Sequence, residues 1–340
     1  MTDTYREIVD ALLTAKRVIV TTHVRPDGDA LGTVAATVLA MRKVGVEAEV
    51  LLLSRLPRKY AFVFESNQII YHEYGTDWPG SLSLSRFDTL LVMDTGTWSQ
   101  LPYLKEKLEG WTGRKLVVDH HLTQEDWADT KLVVTEAAAA GEIAAELIDT
   151  WGIDFDQPMA VALFLAIASD TGWFQFSNTR PYTLRLAARL IEHGVNTDEM
   201  YQHLYQNERA ERVTLQTLGM QSLTLLADGR LAVMRISRDD FEKTGAGVAD
   251  TENLINIPLQ IRTVQVSLLF VEPLESGPVR TSLRSKGQVD VAAFAEQFGG
   301  GGHARAAGLK VDKPLDVACD IVVKAMTDRL GKTAEAAASA

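Results

Sequence analysis

Residues 17–45 read RVIVTTHVRPDGDALGTVAATVLAMRKVG. The stretch from Arg17 to Thr22 is an apolar, β-branched run of the kind that forms a strand buried on both faces. Leu31 to Val44 carry the apolar spacing of a helix, and Gly45 follows as its C-cap. The loop between them places one imidazole and two carboxylates, His23, Asp27 and Asp29, within seven residues. A strand, a loop rich in ligating groups and then a helix predict an open α/β sheet, where functional groups collect at the carboxyl ends of strands.

Outward from this segment the pattern repeats. Ala48 to Leu53, Thr89 to Met93 and Lys115 to Val118 predict further buried strands, giving an N-terminal open, mostly parallel sheet flanked by helices. The third predicted strand runs into Asp94-Thr95-Gly96 and the fourth into Asp119-His120-His121. Residues 138–221 read as mostly helical, with Leu163, Ile167, Leu186, Leu190 and Leu204 on spaced faces, and one of these helices ends at Ser169-Asp170-Thr171-Gly172. Beyond this the texture changes. Strands predicted over 222–226, 231–236, 264–270 and 279–283, with helices near 291–298 and 316–330, describe a smaller α/β lobe. The expected divisions are a first domain over 1–207, a helical linker over 208–221, a second domain over 222–331 and an Ala-rich flexible tail over 332–340.

A chain of 340 residues, 46% of them hydrophobic, is long enough for two such domains. Cys319 stands alone, which excludes an intramolecular disulfide framework, and no apolar run approaches the ~20 residues that span a bilayer. The N-terminus is amphipathic, with Ile8, Ala11 and Leu12 set among Arg6, Glu7 and Asp10, and lacks the basic-then-apolar order of a signal peptide. These features predict a cytoplasmic protein without a membrane partner. A net charge of −11 argues against holding long duplex nucleic acid on a basic surface, so a nucleotide substrate should be small.

Taken singly, each motif has a plain structural explanation. Asp27 suits a helix N-cap, the Asp-x-Gly motifs at 94–96 and 170–172 suit turns, and His120 and His121 suit a surface. Together they gather carboxylates and imidazoles at successive element ends, and charges so packed repel strongly unless cations neutralise them. Carboxylate and imidazole ligands without a thiolate favour Mn²⁺, with Mg²⁺ or Co²⁺ as alternatives. The ligand number exceeds what one octahedral ion needs, and two ions ~3.5–4 Å apart are the usual solution for phosphate chemistry.

The ordered set His23, Asp27, Asp29, then Asp94, then Asp119-His120-His121, then Asp170 resembles the four motifs of the DHH phosphoesterase superfamily, which includes RecJ-type exonucleases and family II inorganic pyrophosphatases. The run Gly299-Gly300-Gly301-Gly302-His303 resembles the signature of the DHH-associated C-terminal domain. The form HVRPDGDALG and the two-lobe layout are most similar to the nanoRNase and pAp-phosphatase branch, over about residues 5–330. The resemblance implies His23 and Asp27 on one Mn²⁺, Asp29, His120 and Asp170 on the other, and Asp94 bridging both. It implies that Asp119 supports the ligands and that His121 faces the substrate, in a cleft between the lobes. The reaction it implies is in-line hydrolysis of short RNA or a nucleoside bisphosphate.

In the second lobe, Gly299 to Gly302 are expected to form a nest of backbone N–H groups for a phosphate, with Arg284, His303 and Arg305 beside it and Arg262 a weaker candidate. Ala137 to Gly141 replace the small hydroxyl residues that often precede the Glu of the Gly-Glu pair in related sequences, so any hydroxyl contact is expected to be missing. Trp173 and Phe174 read more readily as core than as a base-stacking pair. A manganese pyrophosphatase, a cyclic or linear dinucleotide phosphodiesterase and a non-catalytic nucleotide sensor are the alternatives, and a homodimer is compatible with all of them. The sensor is disfavoured because the ligand set is complete.

Overall fold

The structure, a computed structural model, describes residues 3–287 and 289–338. It divides into two compact units between Asn207 and Glu208. The first begins with α1 (Asp3–Leu13), β1 (Arg17–Thr21), α2 (Gly28–Lys43), β2 (Glu47–Leu52), α3 (Phe62–Glu65) and β3 (Tyr71–Glu73). It continues through β4 (Thr89–Met93), α4 (Leu104–Lys107), β5 (Arg114–Asp119) and β6 (Thr130–Val133), and ends with α5 (Ala140–Thr150), α6 (Gln157–Asp170), α7 (Pro181–Glu192) and α8 (Thr197–Tyr205).

The six strands lie in the order β3-β2-β1-β4-β5-β6, and every pairing is parallel. From β1 the chain builds outward one way, and from β4 the other, so the β1/β4 pair is the switch point where an open α/β sheet forms its crevice. Period-two alternation explains the continuous apolar runs. Val18, Val20, Val50, Leu52, Leu91, Met93, Leu116 and Val118 join the core beneath the helices. Ile19, Leu51, Leu90, Val92 and Val117 fill the opposite face with Phe87, Leu101 and Leu104. Both faces are buried, as the apolar runs require. The edge strands β3 and β6, absent from the sequence reading, complete the sheet.

α2 is buried around its whole circumference from Gly28 to Met41 and packs against α6. The crossing is close: a Cβ on Gly32 would stand 2.3 Å from the Ala162 carbonyl oxygen and 2.8 Å from the Ala166 nitrogen. Small residues here let the start of α2, with Asp27 and Asp29, approach the end of α6, with Asp170.

The second unit contains α9 (Ala210–Gln221), β7 (Thr224–Leu226), β8 (Leu231–Ile236), α10 (Arg238–Thr244), β9 (Val266–Val271) and β10 (Val279–Ser285). After these come α11 (Ala292–Ala295), β11 (Gly301–His303), β12 (Ala306–Val311) and α12 (Leu315–Ala338). The sheet order is β11-β12-β10-β9-β8-β7, with β8 and β9 parallel and the other pairs antiparallel. α9, expected as a linker, belongs to this unit's own core, where Leu215 is buried with Met234, Ile236, Phe241 and Leu254. The backbone of the expected tail is helical through Ala338, and Ser339 and Ala340 lie outside the described residues. Among the described residues, no helix is long and apolar enough to cross a membrane.

Candidate metal centre

β1, β4 and β5 are neighbours, and the residues that follow them meet at one end of the sheet. The loop after β1 carries His23. Asp27 caps α2, its carboxylate accepting from the Ala30 N–H at 3.1 Å, and Asp29 follows in the first turn. The N-cap explanation of Asp27 is therefore correct as far as it goes, and the same Oδ1 also lies 3.9 Å from His23 Nε2. Asp94 ends β4 in a left-handed conformation, φ 62°, which an aspartate tolerates better than most residues.

Among the described residues, three groups of side chains that could hold a metal ion result: His23, Asp27 and Asp94; Asp94, His120 and His121; and Asp29, His120 and Asp170. His23 Nε2 is 3.5 Å from Asp94 Oδ2. His120 Nε2 stands 3.4 Å from Asp94 Oδ1, 3.6 Å from Asp170 Oδ2 and 3.8 Å from Asp29 Oδ2. All six residues expected as ligands converge here.

The far nitrogens of these rings decide what the near ones can do. His23 Nδ1 contacts the Val24 carbonyl at 3.0 Å and His120 Nδ1 the Ala137 carbonyl at 3.2 Å. A carbonyl only accepts, so each Nδ1 carries the hydrogen and each Nε2 turns a lone pair, or a second proton, toward the carboxylates. His121 is held differently. Its Nδ1 donates to Asp119 Oδ1 at 2.8 Å, which leaves Nε2 as its working atom on a half-exposed ring. Asp119 is wholly buried, and it also accepts from the His120 and His121 backbone N–H groups and from the Gln124 amide. Its acceptor capacity is committed to the protein.

Asp94 is the opposite case. Only 2% of it is exposed, and its Oδ1 is buried without a hydrogen-bond partner. Asp29 is also fully buried, where it accepts from Ala140 N–H at 2.6 Å, Gly141 N–H at 3.0 Å and the Thr33 hydroxyl at 3.0 Å. The alanine run thus reaches the site through its backbone, where sequence reading anticipated a lost side-chain contact.

Electrostatics show what the cluster lacks. Burial pushes the Asp29 carboxyl well above its usual range, and the Asp94 and Asp170 charges add to this. Burial likewise lifts Asp170 to about 6. Burial alone would lower His23 and His120, but contact with Asp94, joined for His120 by the Asp29 charge, raises them to about 9 and about 10. For Asp94, burial is outweighed by His120 and His23, and its pKa is lowered. Protons drawn onto imidazoles stand in for missing positive charge. A buried acceptor without a partner, two imidazoles aimed by carbonyls and competing carboxylates fit divalent cations.

Trp173 and Phe174 pack edge-on against Phe164, and Trp173 also meets Tyr201 and Tyr205, so the pair is half-buried and packs against the core. Sequence reading missed Gln124, Glu142 and Asn178. Only Glu142 left a trace, as an acidic residue in an otherwise apolar stretch.

The glycine run of the second unit differs from expectation. Gly301 to His303 pair with Ala306 to Gly308 as an antiparallel hairpin. The N–H groups of Gly299 and Gly300 are taken by the Glu296 and Ala295 carbonyls, so these two are not free to line a nest. Gly302, φ 145°, is required by the close approach of the hairpin: a Cβ would stand 2.5 Å from the Ala306 carbonyl oxygen. The register sets Arg284 and His303 each opposite Ala306, which places both on one face with only that methyl between them. Arg305 is exposed in the turn, and Arg262 sits in a turn outside any strand.

Comparisons with known proteins agree with this layout. The DHH family N-terminal domain matches residues 17–168, and the DHHA1 domain matches residues 228–333. The bifunctional oligoribonuclease and PAP phosphatase NrnA of Bacillus subtilis is 26% identical over 90% of this chain and 92% of its own length. The protein of the same name from Thermus thermophilus is 28% identical over 92% of this chain and 90% of its own. Among solved structures, an exopolyphosphatase-related protein from Bacteroides fragilis superposes with a TM-score of 0.79 at 22% identity, covering 97% of this chain and 96% of the other. Exonuclease RecJ bound to manganese gives 0.54 at 16% identity, covering 96% and 94%. With its ordered motifs, parallel sheet and two matched domains, the chain belongs to the DHH family of phosphoesterases, as a DHH domain followed by a DHHA1 domain.

Proposed function

We propose that this chain is a two-metal phosphoesterase that hydrolyses short oligoribonucleotides to mononucleotides and 3′-phosphoadenosine 5′-phosphate to AMP. The observation that carries the reading is Asp94. A buried carboxylate with one unpartnered oxygen, whose Oδ2 lies 3.5 Å from His23 Nε2 and whose Oδ1 lies 3.4 Å from His120 Nε2, faces a ligand of each proposed ion, as a bridging ligand requires. The substrate class is supported by the two NrnA relatives, matched over about nine-tenths of both chains.

We assign His23 and Asp27 to one ion, Asp29, His120 and Asp170 to the other, and Asp94 to both. Manganese suits this set because its donors are oxygen and imidazole nitrogen without a thiolate. Bound there, divalent cations supply charge that offsets the phosphoryl oxygens and acidifies water. The protein's own groups do the rest. Asp119 holds the His121 Nδ1–H, so Nε2 is the atom that meets the substrate. The same hydrogen bond raises the His121 pKa against the opposing effect of burial, which favours the protonated form that can donate to a leaving oxygen. In the second unit, the side chains of Arg284, His303 and Arg305 are assigned to recognition of a further phosphate.

The test is a substrate panel: manganese-reconstituted protein with 3′-phosphoadenosine 5′-phosphate, pyrophosphate, a cyclic dinucleotide and RNAs of graded length. The proposal expects turnover of the bisphosphate and of the shortest RNAs, falling as length grows. Preference for pyrophosphate or the cyclic dinucleotide would overturn the substrate assignment.

A further inference from the structure

Glu142 lies outside the ligand set, yet it is 1% exposed, and a carboxylate buried that deeply must be compensated. It accepts from the Ala138 N–H at 3.0 Å, from the Thr183 hydroxyl and from the Arg180 guanidinium. Three donors from two separate segments thus converge on one carboxylate and tie the turn before α5 to the start of α7.

That turn touches the metal centre entirely through its backbone. The Ala137 carbonyl accepts from His120 Nδ1, and the Ala140 and Gly141 N–H groups donate to both oxygens of Asp29. Asn178 closes the circuit, its amide donating to the Ala138 carbonyl at 2.9 Å and to the Asp170 carbonyl at 3.1 Å. Residues 137–141 therefore brace His120, Asp29 and, through Asn178, Asp170, which are the three members of one ligand group. The group of His23, Asp27 and Asp94 is held by other contacts: Val24 carbonyl to His23, Ala30 N–H to Asp27, and Asp94 N–H to the Val118 carbonyl.

We propose that Glu142, acting with Asn178, is a positioning residue that sets the affinity of one ion site, the one formed by Asp29, His120 and Asp170, and leaves the other untouched. The inference rests on the two-ion reading of the cluster. Alanine stretches need such a clamp, because residues 137–140 have no side-chain groups of their own to fix the direction of their carbonyls and N–H groups.

The experiment is a manganese titration of metal-free protein, read by calorimetry and by the spin-coupled signal of a manganese pair. Wild-type protein is measured first; if it binds fewer than two ions, the two-ion reading fails, and this inference with it. Given two ions, Glu142→Ala should weaken one by about 10–100-fold, the range for groups that orient a metal ligand, with the other within threefold. The paired-ion signal should give way to that of a single ion, and Glu142→Gln should recover part of the loss. Asn178→Ala, on a side chain that is only half-buried, should repeat the selective loss and covers the case in which Glu142→Ala does not fold. Glu49→Gln is the control, since it disturbs another buried carboxylate, paired with Arg17, Arg86 and His72, and should leave both affinities intact. Equal weakening of both ions, or no change in either, overturns the assignment.

Discussion

His23 and His120 have Nδ1 fixed by a backbone carbonyl, whereas His121 has it fixed by a buried carboxylate. A carbonyl orients a ring without charging it, but a carboxylate also stabilises the imidazolium. On the proposed assignment, ligand and proton donor are thus separated by the second partner of each ring. His121→Ala should accordingly cut kcat by about 10²–10⁴-fold with manganese content unchanged. Metal analysis beside steady-state kinetics checks this, and loss of metal in that variant would make His121 a ligand. Asp119 is saturated by four protein donors, which favours assigning it to support and Asp94, at the neighbouring strand end, to the metal.

At the scale of elements, what was legible followed burial. β1, β4 and β5 announce themselves because both faces are buried and nearly every residue is apolar, so the acidic and imidazole residues beyond them stand out at strand ends. β3, reading Tyr71-His72-Glu73, is an edge strand that no apolar run marks, whereas residues 131–134 at the β6 edge repeat the Lys-Leu-Val-Val of residues 115–118 and were legible though not used. The glycine run misled because flexibility and close packing call for the same residue. Conformational freedom suggests a nest for an anion, whereas the hairpin uses glycine to bring two backbones together. Glu142 and Asn178 escaped because they act through carbonyls and N–H groups of alanines, which carry no side-chain signal. The hairpin still places Arg284 and His303 on one face, and a charge-assisted bond to phosphate contributes about 1.5–3 kcal/mol. Arg284→Ala or His303→Ala should therefore lower kcat/KM for a dinucleotide or the bisphosphate by about 10–100-fold and barely affect bis-p-nitrophenyl phosphate, which has no second phosphate to hold. Equal losses on both substrates would remove this face from recognition.

For the whole molecule, the cluster couples metal, protons and stability. In the metal-free protein, His23 and His120 titrate near 9 and 10, above the ~6.5 of an unfolded chain. A raised folded pKa means the folded state binds protons more tightly, so the stability this contributes is complete below pH ~6.5 and disappears as pH rises through 9 to 10. Asp170 loses its proton near 6 and lies below this window. Thermal unfolding in chelator should show a midpoint that falls between pH 7 and 10, and manganese should flatten the curve because it replaces the protons. A midpoint independent of pH in chelator would mean that the imidazoles are not proton-loaded. The most direct test of the central claim is Asp94→Ala, assayed for dinucleotide hydrolysis, bound manganese and folding together. The two-metal account predicts an intact fold, manganese reduced below the wild-type two ions and no measurable turnover; substantial turnover in that variant would contradict it.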